Sequence, residues 1–99
     1  MNHILNPQLG QFVKVAQGRD ADKLAVIVGL EPERYVFIAD GDKRKFEQPK
    51  RKNLLHLELQ KDISREVVQS LNESGRVTNS KLRYVIQKYA EQLNEANAE

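Results

Sequence analysis

The chain has 99 residues, of which 39% are hydrophobic and 30% are charged, and its formal net charge is +2. This length and composition predict one compact unit with a modest core, and they exclude a fully disordered chain. The sequence contains no cysteine, which excludes disulfides and cysteine-ligated zinc sites.

Residues 1–8, MNHILNPQ, are predicted to form a flexible leader, because Pro7 disfavours regular structure there. The leader has no basic stretch followed by a long apolar run, so we do not expect a signal peptide. No part of the sequence reaches the roughly 20 apolar residues that a membrane helix requires. The expected location is therefore the cytoplasm, without a membrane partner.

Residues 9–60 predict a mainly β unit that begins with alternating polar and apolar positions. In the first run, Val13 and Val15 share one face of a strand, whereas Phe12 and Lys14 share the other. Gly18 follows in a polar turn, where glycine supplies a positive φ. The predicted strands cover residues 11–17, 24–30, 35–38, 43–48 and 55–59, with a hairpin at Asp40-Gly41 and a basic loop at 49–53. Five short strands with short connections predict a small SH3-like barrel.

Residues 61–94 predict a two-helix C-terminal segment. The first helix has an apolar stripe, can be capped by Asp62 or Ser64, and ends at Gly75. Candidate N-caps of the second helix are Thr78, Asn79 and Ser80, and its apolar stripe comprises Leu82, Val85, Ile86, Tyr89 and Leu93. Neither helix is long enough to be stable alone, so each must pack on the other, on the barrel or on a partner. Residues 95–99 are predicted to fray.

Catalytic and metal-binding patterns are missing from the sequence. His3 and His56 have no ligand-spaced companion, which favours two ordinary surface histidines over a metal site. The close acidic pairs, at positions 20 and 22 and at positions 40 and 42, flank turns, where aspartate caps its own backbone. No phosphate-binding glycine loop or nucleophile elbow is present. We therefore expect neither an enzyme nor a cofactor.

Positive charge is concentrated in residues 43–52, KRKFEQPKRK, where six basic residues accompany a single acid, Glu47. If residues 43–48 form a strand, Lys43 and Lys45 share one face and Arg44 points to the other. A solvated edge strand is one explanation of this segment, and contact with RNA phosphates is the other. Arg19 and Lys23 add charge at the first turn, which favours RNA.

The sequence does not decide the roles of two groups of aromatic residues. Tyr35 and Phe37 alternate with Val36 and Ile38, so one pair faces inward and the other outward. An outward Tyr35 and Phe37 could stack on unpaired bases, but a position beneath the C-terminal helices is slightly favoured. On the second helix, Tyr84 shares a face with two lysines, at 81 and 88. A solvated surface is favoured there over a second RNA contact.

Residues 10–40, GQFVKVAQGRDADKLAVIVGLEPERYVFIAD, resemble a KOW motif, with Gly18 as the turn glycine and LAVIV after it. Residues 9–59 are similar to bacterial KOW-domain RNA-binding proteins, and to the start of the fourteenth large-subunit protein of archaeal and eukaryotic ribosomes. The resemblance implies an SH3-like barrel on structured RNA, with Gln17, Gly18, Arg19 and Asp20 in the loop nearest the RNA. Asp22 departs from the pattern, because many KOW sequences have a second glycine there.

The sequence therefore predicts a non-catalytic RNA-binding protein of the translation machinery, associated with the ribosome or ribosomal RNA as part of a ribonucleoprotein. The predicted contacts are Gln17, Gly18, Arg19, Lys23, Lys43, Arg44, Lys45, Lys50, Arg51 and Lys52. The helices would brace the barrel or contact a ribosomal protein. The alternative is a protein-interaction module that docks, for example, on transcription machinery through the Tyr35 and Phe37 face or the helical stripe.

Overall fold

The computed structural model describes residues 6–96, which form a five-stranded antiparallel sheet followed by two helices. The strands are β1 (Gln11–Val15), β2 (Leu24–Leu30), β3 (Tyr35–Ala39), β4 (Lys50–Asn53) and β5 (Leu57–Ile63); the helices are α1 (Arg65–Ser74) and α2 (Asn79–Ala96). The mainly β class with two C-terminal helices is thus confirmed. Most of the predicted leader, residues 1–5, lies outside the described residues, as do residues 97–99 of the predicted tail.

The sheet has the strand order β4-β3-β2-β1-β5, so β4 and β5 are its edge strands, and no pairing between them closes it within residues 6–96. A flat sheet of this order would place its edge strands about 19 Å apart. Here a single 3-10 turn, Leu54–His56, connects them. Its Leu54 N–H donates to the Arg34 carbonyl (2.8 Å), and its His56 carbonyl accepts from Ala16 N–H (2.9 Å). The sheet must therefore be strongly curled.

The curled sheet buries apolar side chains on both of its faces. Val13 and Val15 lie on the inner face, as the alternation predicted, in a cluster with Ala25, Ile27, Val36, Ile38 and Leu57. Phe12, Val26 and Ala39 lie on the outer face, where they pack against the helices. Because β2 contributes to both clusters, its sequence LAVIVGL is apolar at nearly every position.

The two helices pack on their own sheet, which selects one of the possibilities left open by the sequence. The Ser64 hydroxyl accepts the Val67 N–H (3.2 Å) and caps α1, which ends at Gly75 with a φ of +74°. From α2, Leu82, Val85 and Tyr89 join the outer cluster, together with Val67 and Val77. Within residues 6–96, neither helix is both long and apolar enough to cross a membrane.

The predicted fourth strand at residues 43–48 and the basic loop at 49–53 are wrong, and the two are reversed in the structure. Residues 40–49 form a loop because the Asp40 carboxylate accepts the N–H groups of Asp42 (2.8 Å) and Arg44 (2.9 Å). The Phe46 N–H then donates to Asn79 Oδ1 (2.7 Å), which holds the loop on α2. Lys50–Asn53 are consequently the residues that pair with β3. The fifth strand begins at Leu57 rather than at residue 55.

Candidate nucleic-acid interface

The turn between β1 and β2 has two residues with positive φ, Gly18 (+92°) and Asp22 (+72°). Asp22 thus adopts a left-handed conformation that glycine adopts more readily, and its N–H donates to the Val15 carbonyl (2.6 Å). The aspartate is therefore compatible with the tight turn. The predicted contact residues of this turn, Gln17, Gly18, Arg19 and Lys23, are all exposed.

Arg44 connects this turn to the downstream basic segment, because its guanidinium lies 3.6 Å from the Asp20 carboxylate. Around this ion pair the turn, the loop and β4 enclose a narrow hollow of about 20 Å³, with room for about one water molecule, so a phosphate would be held at its rim rather than inside it. Its charged lining residues are Lys23, Arg44, Lys50, Lys52, Asp20 and Asp40, four basic and two acidic. We call this site the basic hollow. It brings together four of the ten predicted contact residues, from three separate segments, and its net charge is positive.

The three basic residues of β4 do not share one surface. Lys50 pairs with Ile38 and Lys52 with Val36, so both lysines belong to the inner face. Arg51 pairs with Phe37 and therefore lies on the outer face. Of the six residues in the predicted basic cluster, the three on β4 are thus divided between the two faces of this edge strand.

Lys43 and Lys45 project from the loop rather than from a strand, and both are exposed. Lys43 lies beside a second depression that is also lined by Lys23 and by Arg83 of α2. The Arg83 guanidinium donates to the Gly41 carbonyl (2.7 Å) and to the Ser80 hydroxyl (3.2 Å). The sequence analysis missed Arg83, because nothing in the pattern of a helix connects it with a loop 42 residues away.

On β3, Val36 and Ile38 are the pair that faces inward, and Tyr35 and Phe37 are the pair that faces outward. Val36 and Ile38 are buried in the inner cluster, whereas the rings of Tyr35 and Phe37 belong to neither apolar cluster. The favoured interpretation, a position beneath the helices, is therefore wrong for these rings. Phe12 occupies that position and stacks on Tyr89, with ring centroids 4.1 Å apart. Tyr84 is 55% exposed on α2, in keeping with a solvated surface.

Two side chains, Glu47 and Tyr89, have shifted pKa values, and hydrogen bonds within the fold contribute to both shifts. A hydrogen bond from the Asn79 side chain is the main cause that lowers the pKa of the exposed Glu47. Burial, with a hydrogen bond to Asp62, raises the pKa of Tyr89 to about 12. His56 is exposed in the 3-10 turn, and His3 lies outside the described residues. Among residues 6–96, no group of three or more histidine, cysteine or acidic side chains is arranged to hold a metal ion.

Comparison with known proteins places the chain in a family. No family model matches the sequence. The chain is, however, 45% identical over 71 residues to a protein of Bacillus subtilis (strain 168) named "Putative ribosome-binding protein YbzG". The matched region is 72% of this chain and 96% of the relative. At this identity and coverage, the chain belongs to the same family as that Bacillus subtilis protein.

Proposed function

We propose that this protein is a non-catalytic component of the translation machinery that binds the ribosome by contacting the ribosomal RNA backbone. The observation that carries the proposal is the basic hollow, in which the first turn, the loop and β4 present basic side chains together. The name of the Bacillus subtilis relative, a ribosome-binding protein, supports the ribosome as the partner. A ribosomal partner would place the protein in the cytoplasm.

We further infer that the curled sheet is an SH3-like unit of the KOW type. The strand order β4-β3-β2-β1-β5 and the 3-10 turn between the two edge strands support this inference. In such a unit the β1–β2 turn projects from one end of the sheet, with Gly18 at its exposed tip. Arg19 and Lys23 of this turn would then reach the RNA beside the hollow.

The hollow is suited to position phosphates rather than to read sequence. Lysine is a compact charge on a flexible stem, so Lys23, Lys50 and Lys52 can adapt to an irregular backbone path. Asp20 holds the Arg44 guanidinium at 3.6 Å, which orders this charge but reduces the local positive potential. If four phosphates are neutralised, the slope of log K against log salt is about −3 on the single-strand coefficient.

The proposal is tested by the sedimentation of purified protein with ribosomes between 50 and 200 mM salt, a range in which phosphate contacts weaken steeply. We expect wild type to dissociate as salt rises, and the variant K23Q/K50Q/K52Q to stay folded but to sediment weakly even at low salt. The control variant K61Q/K81Q/K88Q removes the same charge from exposed positions elsewhere and should behave as wild type. Unchanged sedimentation of the hollow variant would contradict the proposed surface.

The second candidate function is a protein-interaction module. The helical stripe is not available for this role, because Leu82, Val85 and Tyr89 are buried against the sheet. The Tyr35 and Phe37 surface on β3 is half-buried and outside both apolar clusters, so it is the candidate surface for this role. Association that resists both RNase and 200 mM salt would favour a protein partner over the RNA backbone.

A further inference from the structure

The Arg51 side chain is held in a fixed position on the outer face of β4. Its Cζ atom lies 3.7 Å from the centroid of the Tyr35 ring. At this distance the guanidinium must lie roughly parallel to the ring, because an upright one would bring its nitrogens inside the contact distance of about 3.5 Å. Its Nε atom also donates to Glu31 Oε1 at 2.8 Å. The side chain of Arg51 nevertheless remains 53% exposed.

This arrangement makes Arg51 a poor phosphate ligand. The Glu31 carboxylate offsets the charge of the guanidinium and occupies one of its donors. The two lysines on the other face of β4 have no such partner among the ion pairs of residues 6–96. What Arg51 offers instead is a flat, ordered and exposed surface, supported from below by Tyr35.

We propose that the Arg51 guanidinium, stacked on Tyr35 and oriented by Glu31, is a stacking site for an unpaired nucleobase of the bound RNA. Bases in single-stranded RNA stack on arginine planes as well as on aromatic rings. A guanidinium already ordered by two contacts loses little further rotamer entropy when a base covers it. The inference rests on the proposed function and adds that the RNA includes unpaired nucleotides.

The position of Arg51 between Lys50 and Lys52 fits one strand of RNA that follows the edge of the sheet. Since β4 is an edge strand, the side facing away from β3 is not covered by another strand of the sheet. Successive side chains of a strand point to opposite faces. RNA along this edge can therefore direct phosphates towards the inner-face lysines and a base towards Arg51 on the outer face. Phe37, paired with Arg51, extends the same surface.

The test compares two fluorescent probes of about 12 nucleotides, a length within the site sizes of single-strand binders. One is an adenosine oligoribonucleotide, and the other has the same backbone with abasic internal positions. We expect Arg51→Lys to bind the adenosine probe roughly tenfold more weakly than wild type, because lysine keeps the charge but lacks the plane. The variant should bind the abasic probe as wild type does. Its salt slope should be unchanged.

Two further variants separate stacking from charge and from folding defects. Tyr35→Leu keeps Arg51 but removes its support, and should show the same selective loss on the adenosine probe. Lys50→Gln should weaken both probes equally and reduce the magnitude of the salt slope by about 0.7. Thermal unfolding followed by circular dichroism checks that all variants fold.

The outcomes distinguish the stacking site from the proposed function. If R51K binds both probes as wild type does, or weakens both equally, Arg51 does not stack on a base. The proposed function would still stand provided that K50Q lowers the salt slope. If wild type binds neither probe, the stacking site is overturned, and salt-independent sedimentation with ribosomes would then also overturn the RNA contact.

Discussion

Gly41 is the residue at which the loop of residues 40–49 meets α2. Its φ is +81°, and a Cβ atom built there would collide with the Asn79 carbonyl and lie 3.0 Å from Leu82 Cβ. Its own carbonyl accepts a hydrogen bond from Arg83. Glycine is therefore required both by the backbone conformation and by the close approach of the helix. The sequence Asp40-Gly41 predicted a turn glycine, but only the structure explains its contact with α2.

Replacement of Gly41 by alanine should be more destabilising than the same change at Gly75. Gly75 also has a positive φ, +74°, but a Cβ atom there would meet nothing within 4 Å. We expect Gly75→Ala to lower the free energy of unfolding by about 1–2 kcal/mol, the typical cost of a left-handed alanine. Gly41→Ala should cost clearly more, because the loop must also move away from α2. Urea unfolding measures both free energies. Equal decreases for the two variants would show that the loop can move away from α2 at no cost in free energy.

At the scale of elements, hydrophobic periodicity was sufficient where each element has an apolar face. It predicted β2 and both helices, because burial sets the pattern there, whereas the end of α1 at Gly75 was predicted from the C-cap role of glycine. Residues 43–53 contain one apolar side chain, Phe46, so no period is readable in that segment. The side chains of Asp40 and Asn79 decide its structure through hydrogen bonds to the loop backbone. The Asp40 bonds are local, but the bond to Asn79 joins residues 33 positions apart, which no local pattern predicts.

Tyr89 connects α2 to both β1 and the end of β5. Its ring stacks on Phe12 with an interplanar angle of 7°, and its hydroxyl donates to Asp62 Oδ2 (2.9 Å). Burial of the ring and the nearby carboxylate both disfavour the phenolate, which raises the pKa of Tyr89 to about 12. In the unfolded chain this pKa is about 10. The contact therefore favours folding as long as the hydroxyl stays protonated.

The stability contributed by Tyr89 should depend on pH in a defined window. It should be fully present below about pH 10, where folded and unfolded chains both keep the proton, and be lost as pH rises to about 12. Tyr89→Phe keeps the ring but has no proton to lose, so its urea midpoint should fall less over this window than that of wild type. Tyr84→Phe, at an exposed tyrosine, is the control and should follow wild type. Parallel curves for wild type and Y89F would contradict the assignment.

At the scale of the whole molecule, a net charge of +2 conceals a strongly uneven surface. The basic hollow lies where β1 and β2 meet at their turn, and exposed Leu9 and Leu30 lie at the opposite ends of these strands. The sequence identified the basic residues of the hollow, since charge is visible in composition. The sequence could not show which face of the sheet Lys50 and Lys52 share and which face Arg51 occupies, because this depends on the register of β4 against β3.

The helices and the sheet form one folding unit, so residues 9–60 alone should not fold stably. In the full chain Phe12, Val26 and Ala39 are covered by Leu82 and other residues of the helices. Without the helices this apolar face would be exposed to water, and the remaining core is too small to compensate. We expect the fragment to lack a cooperative thermal transition by circular dichroism and to bind a hydrophobic dye.

A milder change in the full-length chain weakens the contact between helices and sheet without removing the helices. Leu82 is completely buried between α2 and the sheet, so Leu82→Ala should leave a cooperative fold that is less stable by about 2–5 kcal/mol. Because the cavity adjoins both layers, the loss of aromatic packing in near-ultraviolet circular dichroism should coincide with the loss of secondary structure in far-ultraviolet circular dichroism. A fragment of residues 9–60 that melts cooperatively, or an L82A variant whose two signals melt at separate temperatures, would mean that the sheet is an independent domain.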